Sequence, residues 1–161
     1  MSGAGGNLPA LVPFSAYGDC ASYLAGLYAY FEADFITSTP SFESKRWAVK
    51  RQPLIMGKEA TFWHIISRAD NRSGARPAVE MRCERIRWPR AMIDRHRDGS
   101  FRVWQNTRGR STRILIALPD FSYVTILEDR GSYVMLWTAY CVDGSRRKQL
   151  RAEYSRLGPR P

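Results

Sequence analysis

Four short runs in the second half of the chain constrain its fold more than any other feature. Residues 101–106, 112–118, 122–128 and 132–141 are rich in Val, Ile, Tyr, Trp and Thr, and only TRGR, PD, DRG and similar turn material separates them. Connections this short cannot hold the crossover that parallel strands need, so the runs predict an antiparallel meander. The segment before them reads differently. Asp19 is placed as an N-cap, and Tyr23, Leu27 and Phe31 follow at four-residue steps beside Leu24, Tyr28 and Phe35, which predicts a helix ending near residues 37–40. Residues 42–53 read as extended, and a second helix is expected over residues 58–68. Residues 69–78, ADNRSGARPA, carry loop signals and hold Arg72 and Arg76. Residues 81–88 alternate in a way that suits another strand, with Pro89 opening a short helical turn to Ile93. A terminal helix is expected over residues 145–157.

Helices preceding a run of strands predict an α+β fold: N-terminal helices packed on a four-stranded antiparallel sheet, with a C-terminal helix. The 161 residues, 44% of them hydrophobic, suffice for one core and are too few for two ordinary domains. One domain over residues 14–161 is therefore expected, preceded by a flexible Gly/Ala/Pro arm, residues 1–13.

Charge narrows the partner. Twenty-five Lys and Arg against fifteen Asp and Glu leave +10, which attracts polyanions, nucleic acid first among them. No apolar run approaches the roughly 20 residues that span a bilayer, and the first residues lack the basic and apolar regions of a signal peptide. Three cysteines, Cys20, Cys83 and Cys141, stand far apart with no CxxC pair. Neither a disulfide framework nor a zinc knuckle is suggested, and a cytoplasmic setting is expected.

Side-chain directions single out a few polar groups. Phe62, Ile65 and Ile66 define the buried stripe of the second helix, and His64 lies about 200° around the axis from Phe62, off that stripe. Strict alternation in the last strand sets Tyr133, Met135, Trp137, Ala139 and Cys141 on one face, and Val134, Leu136, Thr138 and Tyr140 on the other. The hydroxyls of Thr138 and Tyr140 thus arrive together, although ordinary strand propensity also explains both residues. The same rule puts Arg85 and Arg87 on one face of their predicted strand, and Arg113 beside Leu115 and Ala117. Arginines within apolar strands need an anion, and guanidinium suits phosphate oxygens.

Motifs for other chemistries do not occur: there is no GxxxxGK[ST], GxSxG, HExxH or zinc-deaminase pattern, and the few carboxylates mostly adjoin Arg. His, Tyr, Thr and Arg remain. These residue types can cleave RNA without metal or cofactor, because the substrate's 2′-hydroxyl is the nucleophile and needs only a base, an acid and positive charge at the phosphate.

The segments GKEATFWHIISR (57–68), RCERIRWPRAMID (82–94) and LPDFSYVTILEDRGSYVMLWTAYCVDGSRRKQLRAEYSR (118–156) resemble phage-associated members of the barnase, EndoU, colicin and RelE-like (BECR) nuclease superfamily. The resemblance spans roughly residues 20–156. It implies a metal-independent endoribonuclease, a toxin of a toxin–antitoxin or phage-conflict system, with helices packed on a four-stranded antiparallel sheet. On it, His64 becomes the leading acid/base group, Arg85, Arg87 and Arg113 hold the scissile phosphate, Thr138 hydrogen-bonds it, and Tyr140 relays a proton or stacks on a base. Which group is base and which acid stays open. Glu59 is a second acid/base candidate or simply a helix N-terminal carboxylate, and His96 lies in a polar turn. The expected RNA contacts are Lys58, Arg82, Arg90, Trp104, Arg108, Arg110, Arg147 and Lys148, and an acidic antitoxin or immunity protein is the expected partner. The competing reading is a non-catalytic RNA- or DNA-binding regulator that uses the same basic face.

Overall fold

A computed structural model describes residues 7–68 and 78–161. The helix expected after Asp19 forms as α1 (Cys20–Phe35), and the Asp19 carboxylate accepts from the Ser22 amide at 2.8 Å. Such a cap contributes about 1 kcal/mol by satisfying an end-of-helix donor. The four-residue steps bury Tyr23, Leu27, Phe31 and Phe35. Gly26 sits where the Tyr17 ring crosses the helix so closely that a Cβ would collide with it. The second helix, α2 (Ala60–Ile66), buries Phe62, Ile65 and Ile66 as the spacing predicts.

The meander forms as β2 (Arg102–Arg108), β3 (Ser111–Ala117), β4 (Tyr123–Asp129) and β5 (Tyr133–Cys141), each antiparallel to the next. A fifth strand, β1 (Arg46–Ala48), corrects the four-stranded expectation: it pairs parallel to the start of β5, giving a mixed sheet of order β1-β5-β4-β3-β2. It comes from the stretch expected to be extended. Three residues among Lys45, Arg46 and Lys50 are too few to show an alternation.

Residues 81–88 are not a strand. They belong to α3 (Glu80–Glu84), the turn after it, and the start of α4 (Trp88–Asp94). Cys83, Ile86, Pro89, Met92 and Ile93 are the buried positions, and steps of three or four residues are helical. Arg85 and Arg87 therefore share no strand face. The arm expected over residues 1–13 is docked from residue 7 onward. Val12 is buried, its amide bonds the Glu84 carbonyl, and the Pro9 carbonyl accepts from the Trp88 indole at 2.9 Å. Of the loop predicted over residues 69–78, only Ala78 is among the described residues, and Arg72 and Arg76 lie outside them.

The sheet is covered on both faces. Helices α1 to α4 pack on one face over Ile114, Ile116, Leu127, Val134, Leu136 and Ala139. On the other, Leu150 and Tyr154 of α5 (Gly144–Leu157) pack on Trp104, Leu115, Ala117, Val124 and Ile126. Burial from two sides explains why β3 and β4 read as nearly continuous apolar runs. Each fully buried large side chain contributes about 1.5–3 kcal/mol. Beyond the short β1, the edge of β5 is flanked by α2 and α3.

Candidate functional site

The site is set by one irregularity in the ladder. Ile126 pairs with Thr138 but the next residue, Leu127, pairs with Leu136, so Trp137 is an extra residue in β5. Such a bulge breaks the two-residue alternation. Before it, Val134 and Leu136 join the core under α1 and α2; after it, Ala139 does. Thr138 and Tyr140 do share a face, as alternation predicts, but it is the α5 side, opposite Val134 and Leu136.

On that side, Thr138, Tyr140 and Trp137 line a cavity of about 180 Å³ together with Asn106, Arg108, Arg113, Leu115, Ile126 and Arg146. Strand pairing assembles it. Arg113 stands opposite Asn106 on β2, two residues from Arg108, and Arg146 comes from the first turn of α5. The Arg113 guanidinium lies 4.7 Å from the centre of the Trp137 ring, and its Nε is buried without a hydrogen-bond partner. Arg146 donates through Nε to the Tyr140 phenol oxygen at 3.3 Å and through Nη1 to Gln149 at 3.2 Å. Among the described residues, no carboxylate forms an ion pair with Arg108, Arg113 or Arg146. Glu128, opposite Arg113 on β4, pairs with Arg130 instead.

Three guanidinium groups around one small cavity are a strong site for an anion. The phenol adds a proton donor. Its oxygen accepts from Arg146, and among the described residues its own O–H has no acceptor. Asn106 has a fixed orientation, because its Nδ2 donates to Glu153 Oε1 at 2.9 Å and a carboxylate can only accept.

His64 borders this cavity without lining it. Its ring packs edge-on against Trp137, with centroids 5.7 Å apart, so the indole separates it from the cavity. Its carbonyl accepts from Thr138 Oγ1 at 3.1 Å and from Arg82 at 3.1 Å. The Thr138 proton, expected for a phosphate, thus ties β5 to α2. Arg82 also donates to the Ser67 carbonyl at 2.6 Å and stacks on the Tyr140 ring. It caps the end of α2, where a cation complements the exposed carbonyls.

Most other expected contacts lie elsewhere. Arg85 stacks on Trp88 and bonds the Met81 carbonyl, and Arg87 stacks on Tyr30. Arg90 locks the end of α1 through the Asp34 carbonyl and Ser38, while also pairing with Asp94. Lys58 lies over Tyr28. Trp104 is fully buried, with its indole N–H on Glu153 at 2.7 Å, so it cannot stack on a base. Arg110 is exposed in the β2–β3 turn, Lys148 is exposed on α5, and Arg147 is half-buried. Glu59 is buried at the start of α2, where it accepts from Tyr28. Burial and this bond push the Tyr28 phenol up to about 12. His96 stacks on Phe42 and faces Glu43, away from the cavity.

Asn106, Trp137 and Arg146 were not singled out from sequence as site residues. A strand alternation carrying Trp104, Asn106 and Arg108 to one face was the available signal for Asn106; nothing local marks the other two. Among the described residues, no three His, Cys, Asp or Glu side chains come together to hold a metal ion, and no helix is long and apolar enough to cross a membrane. All three cysteines are unpaired thiols, with burial raising Cys141 against the pull of Arg85 and Arg82.

No protein-family model matches the chain, and neither does any curated protein or solved structure. The fold and the site define a class: an α+β domain whose sheet carries an arginine-lined cavity beneath its C-terminal helix.

Proposed function

We propose that the chain is a metal-independent endoribonuclease of the BECR kind, and that its cavity seats the scissile phosphate. The observation that carries this reading is the convergence of Arg108, Arg113 and Arg146, none in an ion pair with a described carboxylate, around the Tyr140 hydroxyl. Guanidinium groups there neutralise the non-bridging oxygens as the 2′-hydroxyl attacks, and charge developing in the transition state strengthens those contacts. In this scheme Tyr140 protonates the departing 5′-oxygen. A base must take the 2′-hydroxyl proton, and His64, one ring away behind Trp137, is the nearer of the two imidazoles. Arg85 and Arg87 have no part in this scheme. The biological role that fits a +10 ribonuclease is a cytoplasmic toxin restrained by an acidic partner.

The test is incubation of total RNA with purified protein in EDTA. Wild type should leave fragments with 2′,3′-cyclic phosphate ends, and Tyr140→Phe should cut far more slowly while keeping RNA affinity. Intact RNA with folded wild type that still binds it would sink the enzyme. It would favour the second reading, a non-catalytic RNA- or DNA-binding regulator, which the screening of His64 by Trp137 supports.

A further inference from the structure

The arginine-lined cavity has a neighbour. Asn106 and Arg108 also line a wider cavity of about 650 Å³ between the β2–β3 hairpin and the end of α5, whose far wall is Glu153, Arg156 and Leu157. The two differ in size. Sites for whole small molecules occupy roughly 300–1,000 Å³, so the inner cavity, about 180 Å³, suits a phosphate group but no nucleoside, and the outer falls within the range.

They differ in charge as well. Every charged side chain lining the inner cavity is an arginine, whereas the outer one includes a carboxylate. Trp104 Nε1 and Asn106 Nδ2 both donate to Oε1 of Glu153, at 2.7 and 2.9 Å. The carboxylate is therefore held in place while its Oε2 keeps the capacity to accept from a ligand. Glu153 would oppose a phosphate placed against it, although Arg108 and Arg156 also line this cavity. A neutral group bearing N–H or O–H donors would gain a charge-assisted hydrogen bond.

We infer that the two cavities form one bipartite site for a nucleoside monophosphate unit, phosphate inside and nucleoside outside, with Arg108 at the boundary. The inference rests on the phosphate reading of the inner cavity and adds to it the form of the substrate. A base seated between β2 and α5 is outside any duplex, so the strand that binds is single.

Calorimetric titration with inorganic phosphate and with the nucleoside 3′- and 5′-monophosphates tests this without requiring cleavage. The best nucleotide should bind at least about tenfold tighter than phosphate, the gain expected from one hydrogen bond to a charged group. Glu153→Gln, and separately Leu157→Trp, which fills the outer cavity from an exposed helix end, should bring the nucleotide down to the phosphate level. Arg113→Ala should lose both ligands. Phosphate binding with no gain for any nucleotide overturns the bipartite site and spares the inner cavity. Failure of folded wild type to bind either ligand overturns both.

Discussion

Arg113→Met is the substitution whose outcome is most directly set by the geometry. Methionine keeps much of the arginine stem's volume but removes the charge and every donor. In the folded protein, Arg113 gains a contact with the Trp137 face, about 0.5–2 kcal/mol for a partly desolvated cation over a ring. Against this stands the buried Nε with no acceptor, which costs about 1–3 kcal/mol. These nearly cancel, so urea unfolding should show Arg113→Met within about 1 kcal/mol of wild type, or more stable. Binding should respond very differently. A hydrogen bond to a charged group is worth about 1.5–3 kcal/mol, so affinity for single-stranded RNA should fall by roughly tenfold to a hundredfold or more. The salt dependence of log K should become shallower by about 0.7, the contribution of one phosphate contact on a single strand. A variant destabilised by more than about 2 kcal/mol that binds RNA as wild type does would show that Arg113 props the sheet, and the anion argument would be wrong.

Trp104→Ala should cost about 3–5 kcal/mol in denaturant unfolding, because it empties the core under α5, whereas a base-stacking residue would leave stability nearly unchanged. The Arg160 hydrogen bonds to Glu43, countered by burial, hold that carboxyl below its usual range. Glu43 thus contributes stability above the ordinary glutamate value of about 4.3 and loses it as pH falls through the lower folded value. Glu43→Gln should flatten the acid limb of a melting-temperature profile, and an unchanged limb would refute the clamp. Asp34 runs the other way: burial, against the pull of Arg90 and Arg87, raises it to about 6. Its unfavourable contribution grows as pH rises from the ordinary value of about 3.9 to about 6, so Asp34→Asn should raise the melting temperature above pH 6 and have little effect near pH 3.

What could be read from the residues was what local rules govern. The hairpin turns made the meander legible, and the Asp19 cap with its four-residue steps made α1 legible. The eight residues from Met81 to Trp88 fit either period, and only the wider spacing of Cys83, Ile86, Pro89 and Ile93 separates helix from strand. Arg113, Thr138 and Tyr140 could be chosen as polar groups set among apolar neighbours. Arg108 could be named only as one basic contact among several, and Arg146 not at all, because they reach the cavity through strand pairing and through the docking of α5, neither of which leaves a local mark. Trp104 illustrates the same gap. Alternation tells which residues share its face, but not that a helix covers that face. His64 does point off the core stripe of α2, yet Trp137, distant in sequence, decides what it meets.

The extra residue in β5 makes the position of the two hydroxyls a matter of parity. Eight residues of β5, Val134 to Cys141, run beside the seven of β4, and the one extra residue, Trp137, determines which layer of the molecule receives everything after it. Parity has no intermediate values. Substitutions can tune the strength of the arginine cluster one side chain at a time, but none of them can turn Thr138 and Tyr140 partway toward the other layer. Only an insertion or deletion can do that, and it would send Ala139 and Cys141 to the cavity in their place. The site is therefore tolerant of gradual change in its charges and abruptly intolerant of change in its length.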